Sequence, residues 1–207
     1  VQDFFSYIEK LVPDQSSRIS STVSPMVATG RYIKNKNANA KVVFIGPCTA
    51  KKNEVLIESI KDSVDYVLTF EELFALFDAF EINPSECEEI TVDDGSIFGR
   101  GFAIGGGLTA SIENYISEKG IETEFKPVKV SGGSEIKKTM IMAKAGKLNG
   151  NFIEGMMCEG GCINGSGKFL SGAKVKATFD RKNSQSTKKS VLANTKIKDF
   201  SNINLEK

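Results

Sequence analysis

Lys41-Val42-Val43-Phe44-Ile45-Gly46-Pro47-Cys48-Thr49-Ala50-Lys51-Lys52 is the stretch that decides the fold. Its first five residues form a short β-branched run bounded by polar residues and a glycine, the pattern of a buried strand. A tight turn carrying a thiol leaves the C-terminal end of that strand. The arrangement returns about a hundred positions later: Phe152-Ile153-Glu154 reads as a strand, and Met156-Met157-Cys158-Glu159-Gly160-Gly161-Cys162 as the turn behind it. Open α/β sheets place their ligands beyond the carboxyl ends of the strands. The two cysteine turns are therefore expected to meet at one sheet edge.

The rest of the chain supports that architecture. Asp65 to Leu68 and Phe125 to Val130 read as two further strands. Asp3 to Val12 is a helix with apolar residues at 4, 5, 8, 11 and 12, ended by Pro13. Ser24-Pro25 opens a second helix, with serine as cap and proline at the first helical position. Asn53 to Ile60 is expected to be helical. Thr69-Phe70-Glu71-Glu72 is a capping box that opens another helix. Asn83 to Asp94 reads as an acidic loop. Leu108 to Lys119 is a helix closed by Gly120, and Ser134 is expected to cap a helix ending near Ala145. Alternating strands and helices predict an α/β fold, a mostly parallel sheet flanked by helices that holds residues 41–46, 65–68, 125–130 and 152–155. Past Gly167 the pattern weakens. Gly172 to Phe179 is expected to be extended, and Arg181 to Lys207 a solvated helix with a frayed tail.

Composition narrows the function. The 207 residues are 40% hydrophobic and 26% charged, ordinary for a globular protein. A net charge of +1 with no strong basic stripe gives no reason to expect nucleic acid. No apolar run approaches the ~18 residues of a membrane span. Histidine is absent, which removes Ser-His-Asp and Cys-His catalysis and histidine metal ligation. Cysteines at this spacing read as metal ligands in a reducing compartment, here the cytoplasm, rather than as disulfides. Soft thiolates on glycine turns suit an iron–sulfur cluster or zinc, and the Cys-x3-Cys spacing of Cys158 and Cys162 leaves both open. Zinc lacks an obvious fourth ligand. Cys87 sits among carboxylates, which oppose a thiolate, and is set aside as a ligand. The glycine-dense segment Gly101 to Gly107 lacks the features of a phosphate loop. Close packing beside a bulky cofactor accounts for it better.

In order, these segments resemble the catalytic, H-cluster domain of the [FeFe]-hydrogenases. Gly46-Pro47-Cys48-Thr49-Ala50-Lys51-Lys52 is similar to the family's second cysteine motif, and Phe152 to Gly165 to its third. Ser20 to Pro25, Asp65 to Thr69 and Ile97-Phe98-Gly99 sit where the family has similar stretches. The resemblance covers about residues 4 to 168. It implies one lobe of the two-lobed iron-only hydrogenase domain: residues 1–170 as a partial H-cluster domain, with 171–207 a C-terminal extension, helical or partly disordered. It further implies a [4Fe-4S] cluster bridged through a cysteine to a diiron subsite, working in reversible proton reduction and hydrogen oxidation. By resemblance Cys48 and Cys158 match cubane ligands and Cys162 the bridging ligand. Lys51 matches a lysine that hydrogen-bonds a cyanide of the diiron unit. Pro47, Met156 and, more loosely, Phe98 match residues lining its pocket, and Ser20 a hydroxyl on a proton path. Ferredoxin, or a linked ferredoxin-like domain, is the implied electron partner.

Three departures qualify the resemblance. The family's first motif, with the fourth cubane cysteine, would fall at or before Val1. Gly46 stands where a methionine is common, and Arg100 to Gly107 departs from the usual glycine pattern. The first helix is already under way at Val1, which suggests an excised fragment, and the last two departures suggest a divergent subgroup. Two other functions stay open: a hydrogen-sensing domain with the same cofactor, and an iron–sulfur assembly protein without the diiron site. The isolated chain is expected to fold without its cofactor and without activity. It is expected to leave three thiols or a disulfide, and an apolar face for the missing upstream lobe that self-association could cover.

Overall fold

The computed structural model describes residues 2–92 and 94–207; the expectations that rest on Val1 and on Asp93 lie outside them. Its elements alternate, as an α/β protein requires: α1 (Gln2–Leu11), α2 (Pro25–Lys36), β1 (Val43–Ile45), α3 (Ala50–Glu54), β2 (Tyr66–Leu68), α4 (Phe70–Ala79), α5 (Ile97–Gly101), α6 (Gly107–Lys119), β3 (Pro127–Ser131), α7 (Gly133–Lys144), β4 (Phe152–Met156) and α8 (Gly172–Ser184). Local signals act where the residues place them. Ser24 accepts the Val27 N–H at 3.4 Å to start α2. Thr69 and Glu72 form both halves of the capping box that starts α4. Gly120 ends α6 at φ +60°, a conformation open to glycine.

The strands are parallel but do not form one sheet. Among the described residues they make two pairs, β1 with β2 and β3 with β4. Val43 faces Tyr66 in the first register and Pro127 faces Phe152 in the second. Each pair closes its own core. Val27, Val42, Val64 and Val67 pack under β1–β2, and Ile8, Val130, Ile136 and Met140 under β3–β4. Helix α1 lies across β4, where the Phe4 ring occupies the space a side chain at Gly155 would need. The expected buried strand at 41–45 is buried on one face only: Phe44 turns toward the core while Val43 and Ile45 remain more than 40% exposed, at 44% and 43%. Alternation puts neighbours on opposite faces, so an all-apolar run does not report which face is covered.

Four further expectations are corrected. The helix expected at 53–60 instead begins at Ala50, inside the first cysteine turn, and ends at Glu54. Helix α7 starts after Gly132 rather than Ser134. Gly172 to Phe179 is helical, not extended. The tail is docked rather than frayed. Glu206 bridges Thr22 in antiparallel fashion, the Val23 N–H donates to Leu205 O at 2.8 Å, and Lys207 N–H to Ser21 O at 2.9 Å. The Arg31 guanidinium ties the tail down through the carbonyls of Asn204 and Glu206 at 2.6 and 2.8 Å, and Leu205 joins the first core.

Asp65 pins the start of β2. It accepts the Val42 N–H at 2.8 Å and pairs with Lys34 at 2.9 Å. The backbone donor first and Lys34 second lower its pKa to about 2. The contribution to stability is present above the ordinary carboxylate pKa and lost as pH falls toward 2. Asp65→Asn is expected to flatten the acid limb of the stability profile between about pH 4 and 2. Urea midpoints across that range check it; parallel wild-type and variant curves would show that Asp65 is not coupled to folding.

Candidate metal centre

Both cysteine turns leave the carboxyl ends of strands. Cys48 follows β1 and Cys158 follows β4. The sequence places their thiols 110 residues apart, and the fold brings them to one cavity, lined by Cys48, Met156, Met157, Cys158, Gly161, Cys162 and Gly165. The three cysteines are half-buried and Met156 is buried.

Backbone contacts lock the turns together. The Gly167 N–H donates to Pro47 O at 2.8 Å, and the hydroxyls of Thr49 and Ser166 meet at 3.0 Å. Gly165 sits so close that a Cβ there would lie 2.5 Å from Pro47 O. Asn164 organises the far side of the second turn. Its amide nitrogen donates to Glu159 O at 2.8 Å, and its Oδ1 accepts from the Gly172 N–H at 3.0 Å at the start of α8.

The glycine-dense segment packs against the second cysteine turn. The Gly105 N–H donates to Gly160 O at 3.0 Å and the Ile163 N–H to Ala103 O at 3.1 Å. Glu154 anchors this packing. It is 3% exposed, and its carboxylate accepts from the Gly106 N–H at 2.8 Å, the Thr109 N–H at 2.9 Å and the Thr109 hydroxyl at 2.6 Å. A carboxylate at the N-terminus of α6 satisfies amides that the helix itself leaves without acceptors. The sequence places Glu154 in a strand, where it lies, but assigns it no further role. The signal was there: a lone acid in an apolar strand needs buried donors.

The other residues named above are not among those lining the cavity. Lys51, on α3, pairs with Glu54, whose carboxylate is 1% exposed. Lys52 pairs with Glu72 at the surface. Ser20 is exposed, and its hydroxyl accepts the Thr22 N–H at 3.2 Å. Phe98 lies on the short α5, half-buried, with its carbonyl accepting from Ser111. Pro47 contributes its carbonyl to the joint between the turns. Cys87 is exposed and its thiol points to Asn83 O at 3.5 Å, outside the set of residues lining the cavity.

The donor chemistry suits an iron–sulfur cluster: soft sulfur ligands on glycine turns, with thioethers beside them. Among the described residues no three Cys, Asp or Glu side chains are placed to grip one metal ion. A cubane asks something different, one thiolate for each iron. The cavity is about 20 Å³, room for roughly one water, so a cluster requires the turns to part. No helix among the described residues is long and apolar enough to cross a membrane.

Comparison with known proteins agrees with this geometry. The chain is 26% identical to the periplasmic [Fe] hydrogenase large subunit of Nitratidesulfovibrio vulgaris, the match covering 78% of this chain and 48% of that protein. It is 25% identical to iron hydrogenase 1 of Clostridium pasteurianum, covering 77% of this chain and 35% of the other. The chain thus spans about half the length of the first relative and about a third of the second. Among solved structures, that of HydA(deltaEFG), described for stepwise [FeFe]-hydrogenase H-cluster assembly, superposes with a TM-score of 0.67 at 22% identity. The match covers 90% of this chain and 66% of that one. A variant of the [FeFe]-hydrogenase HydA1 from Chlamydomonas reinhardtii gives 0.65 at 21%, covering 91% and 65%. These likenesses establish the fold. The family model for the iron only hydrogenase large subunit, C-terminal domain, matches residues 3–166, and the chain belongs to that family.

Proposed function

We propose that this chain carries the cluster-binding part of a hydrogenase catalytic domain, with Cys48, Cys158 and Cys162 as thiolate ligands. The observation that carries the reading is the meeting of two distant cysteine turns at one cavity, joined through Pro47, Gly165 and Gly167. A bound [4Fe-4S] cluster with its diiron subsite supplies reversible hydrogen heterolysis. The chain's own residues hold, orient and shield that group. Cys162 would take the bridging position, buried Met156 would exclude water, and Pro47 and Phe98 would close the wall once the turns part to admit the group. Lys51 is the cation for an anionic ligand. Ser20 serves proton transfer. Ferredoxin is the electron donor or acceptor, residues 1–170 are the cluster-binding unit with 171–207 an extension, and the thiols suit the cytoplasm.

Anaerobic reconstitution with iron and sulfide tests the ligand set. With an exogenous thiol in the buffer supplying the fourth ligand that a cubane needs, charge-transfer absorbance and bound iron are expected in the wild type and in Cys87→Ala, and are expected to fall severalfold in each of Cys48→Ala, Cys158→Ala and Cys162→Ala. Equal iron in all four variants would remove the assignment. Hydrogen evolution after maturation tests the diiron subsite separately.

A second reading, a cubane protein without diiron chemistry, is favoured by one observation: the Lys51 ammonium is engaged by Glu54 rather than lining the cavity. Lys51→Met and Lys52→Met separate the two. Under the hydrogenase reading Lys51→Met loses the diiron unit but keeps the cubane absorbance, and Lys52→Met changes little. Equal effects would favour the cubane-only protein.

A further inference from the structure

Seven of the ten residues of helix α4 are apolar, yet none of its residues, all of them described, is buried. An apolar helix face of that width belongs in a core or under a partner. Its aromatic residues continue into a neighbouring loop: the Phe74 ring meets Phe77 at 5.7 Å and Phe169 at 5.2 Å, both edge-on. Past the helix end the patch runs on through Phe80, 72% exposed, and Ile82, 44% exposed. Contiguous exposed apolar surface of this kind marks an interaction site.

The surrounding charge identifies what can cover it. Residues 70–94 hold nine carboxylates and no lysine or arginine. Two such patches facing each other would repel, so a symmetric α4-to-α4 contact is disfavoured. The occupant must bring positive charge. This chain supplies it: residues 168–198 hold nine lysines and arginines against one aspartate. Lys174, Arg181 and Lys182 are exposed on α8, and Ala173 and Ala177, also exposed, let another surface approach closely. The complementarity is already used within the chain, where Asp94 of the acidic segment pairs with Lys196 at 2.5 Å.

We infer that the α4 patch, from Phe74 to Ile82 with Phe169, docks the basic α8 ridge of a second copy of this chain, head to tail. A heterologous contact of this sort leaves one patch and one ridge open at the ends of each assembly.

Sedimentation velocity tests it with the full chain. Wild type is expected to associate reversibly with concentration, and the association to weaken as salt rises from about 0.05 to about 0.5 M. Phe80→Ser with Ile82→Ser, and separately Lys174→Glu with Lys182→Glu, are each expected to weaken association by about tenfold or more. The decisive arm mixes the two. One variant keeps its ridge and the other its patch, so the mixture should restore a one-to-one pair that grows no further. All four positions are exposed, and circular dichroism confirms the fold; the single substitutions serve if a double one alters it. A monomer at every concentration, assembly indifferent to the substitutions, or a mixture without a pair would each overturn the inference.

Discussion

Glu154→Ala is expected to cost the protein about 3–5 kcal/mol, the sum of stranding buried amides and losing charge-assisted hydrogen bonds. Three donors would lose their acceptor at once: the N–H groups of Gly106 and Thr109 and the Thr109 hydroxyl. Thr109 is 0% exposed, so water cannot replace the carboxylate without opening the structure. A domain of this size has only about 5–15 kcal/mol to lose. The effect is local as well as global. Glu154 holds the start of α6, the segment before α6 holds Gly160, and Gly160 belongs to the second cysteine turn. Glu154→Gln should cost less, because it keeps the shape and one acceptor oxygen while turning an NH2 toward donors. Urea unfolding of both variants checks this. A loss below about 1 kcal/mol in the alanine variant would mean that the donors find other partners.

That residue also shows how far the sequence could be read. The strands at 65–68 and 152–154, the capping box at Thr69, the proline start of α2 and the glycine stop of α6 are local events, decided within a few residues, and they stand. The meeting of Cys48 and Cys158 was legible because both turns leave the carboxyl ends of strands, although those strands belong to separate pairs rather than to one sheet. Pairing was not. Which strand lies beside which depends on how α1 packs over Gly155 and how α2 fits against the turn at Ser63, contacts between distant segments. The tail misled for a related reason. Residues 181–207 are polar enough to read as solvated, but Arg31 and Thr22 hold their backbone and Leu205 alone fills a core position. Hydrogen bonds to main chain leave no pattern in side-chain composition. Lys51 is a different case. Its motif is intact, yet its ammonium is engaged by Glu54, three residues on, which a motif match does not report.

Gly161→Ala should separate the second cysteine turn from the loop it leans on, at a cost of about 3 kcal/mol or more. Gly161 has φ +108°, outside the range that other residues adopt readily. A methyl group there would lie 2.6 Å from the Gly105 nitrogen and 2.7 Å from Ala103 O. Both contacts are with backbone, so no side chain can swing aside; the two loops must part. Parting breaks the bonds from Gly105 to Gly160 and from Ile163 to Ala103. Gly120→Ala is the control. It too has positive φ, at +60°, but nothing lies within 4 Å of the added methyl, so its cost is the conformational part alone, about 1 kcal/mol. The difference between the two variants measures the close approach rather than the glycine. Under the proposed function it also carries a chemical consequence. Cys162 directly follows Gly161, and moving it away from Cys48 should lower iron bound on reconstitution at temperatures where the variant remains folded. Equal destabilisation by the two substitutions, with iron binding unchanged in both, would show that the approach of the glycine loop to the cysteine turn contributes nothing to either stability or ligation.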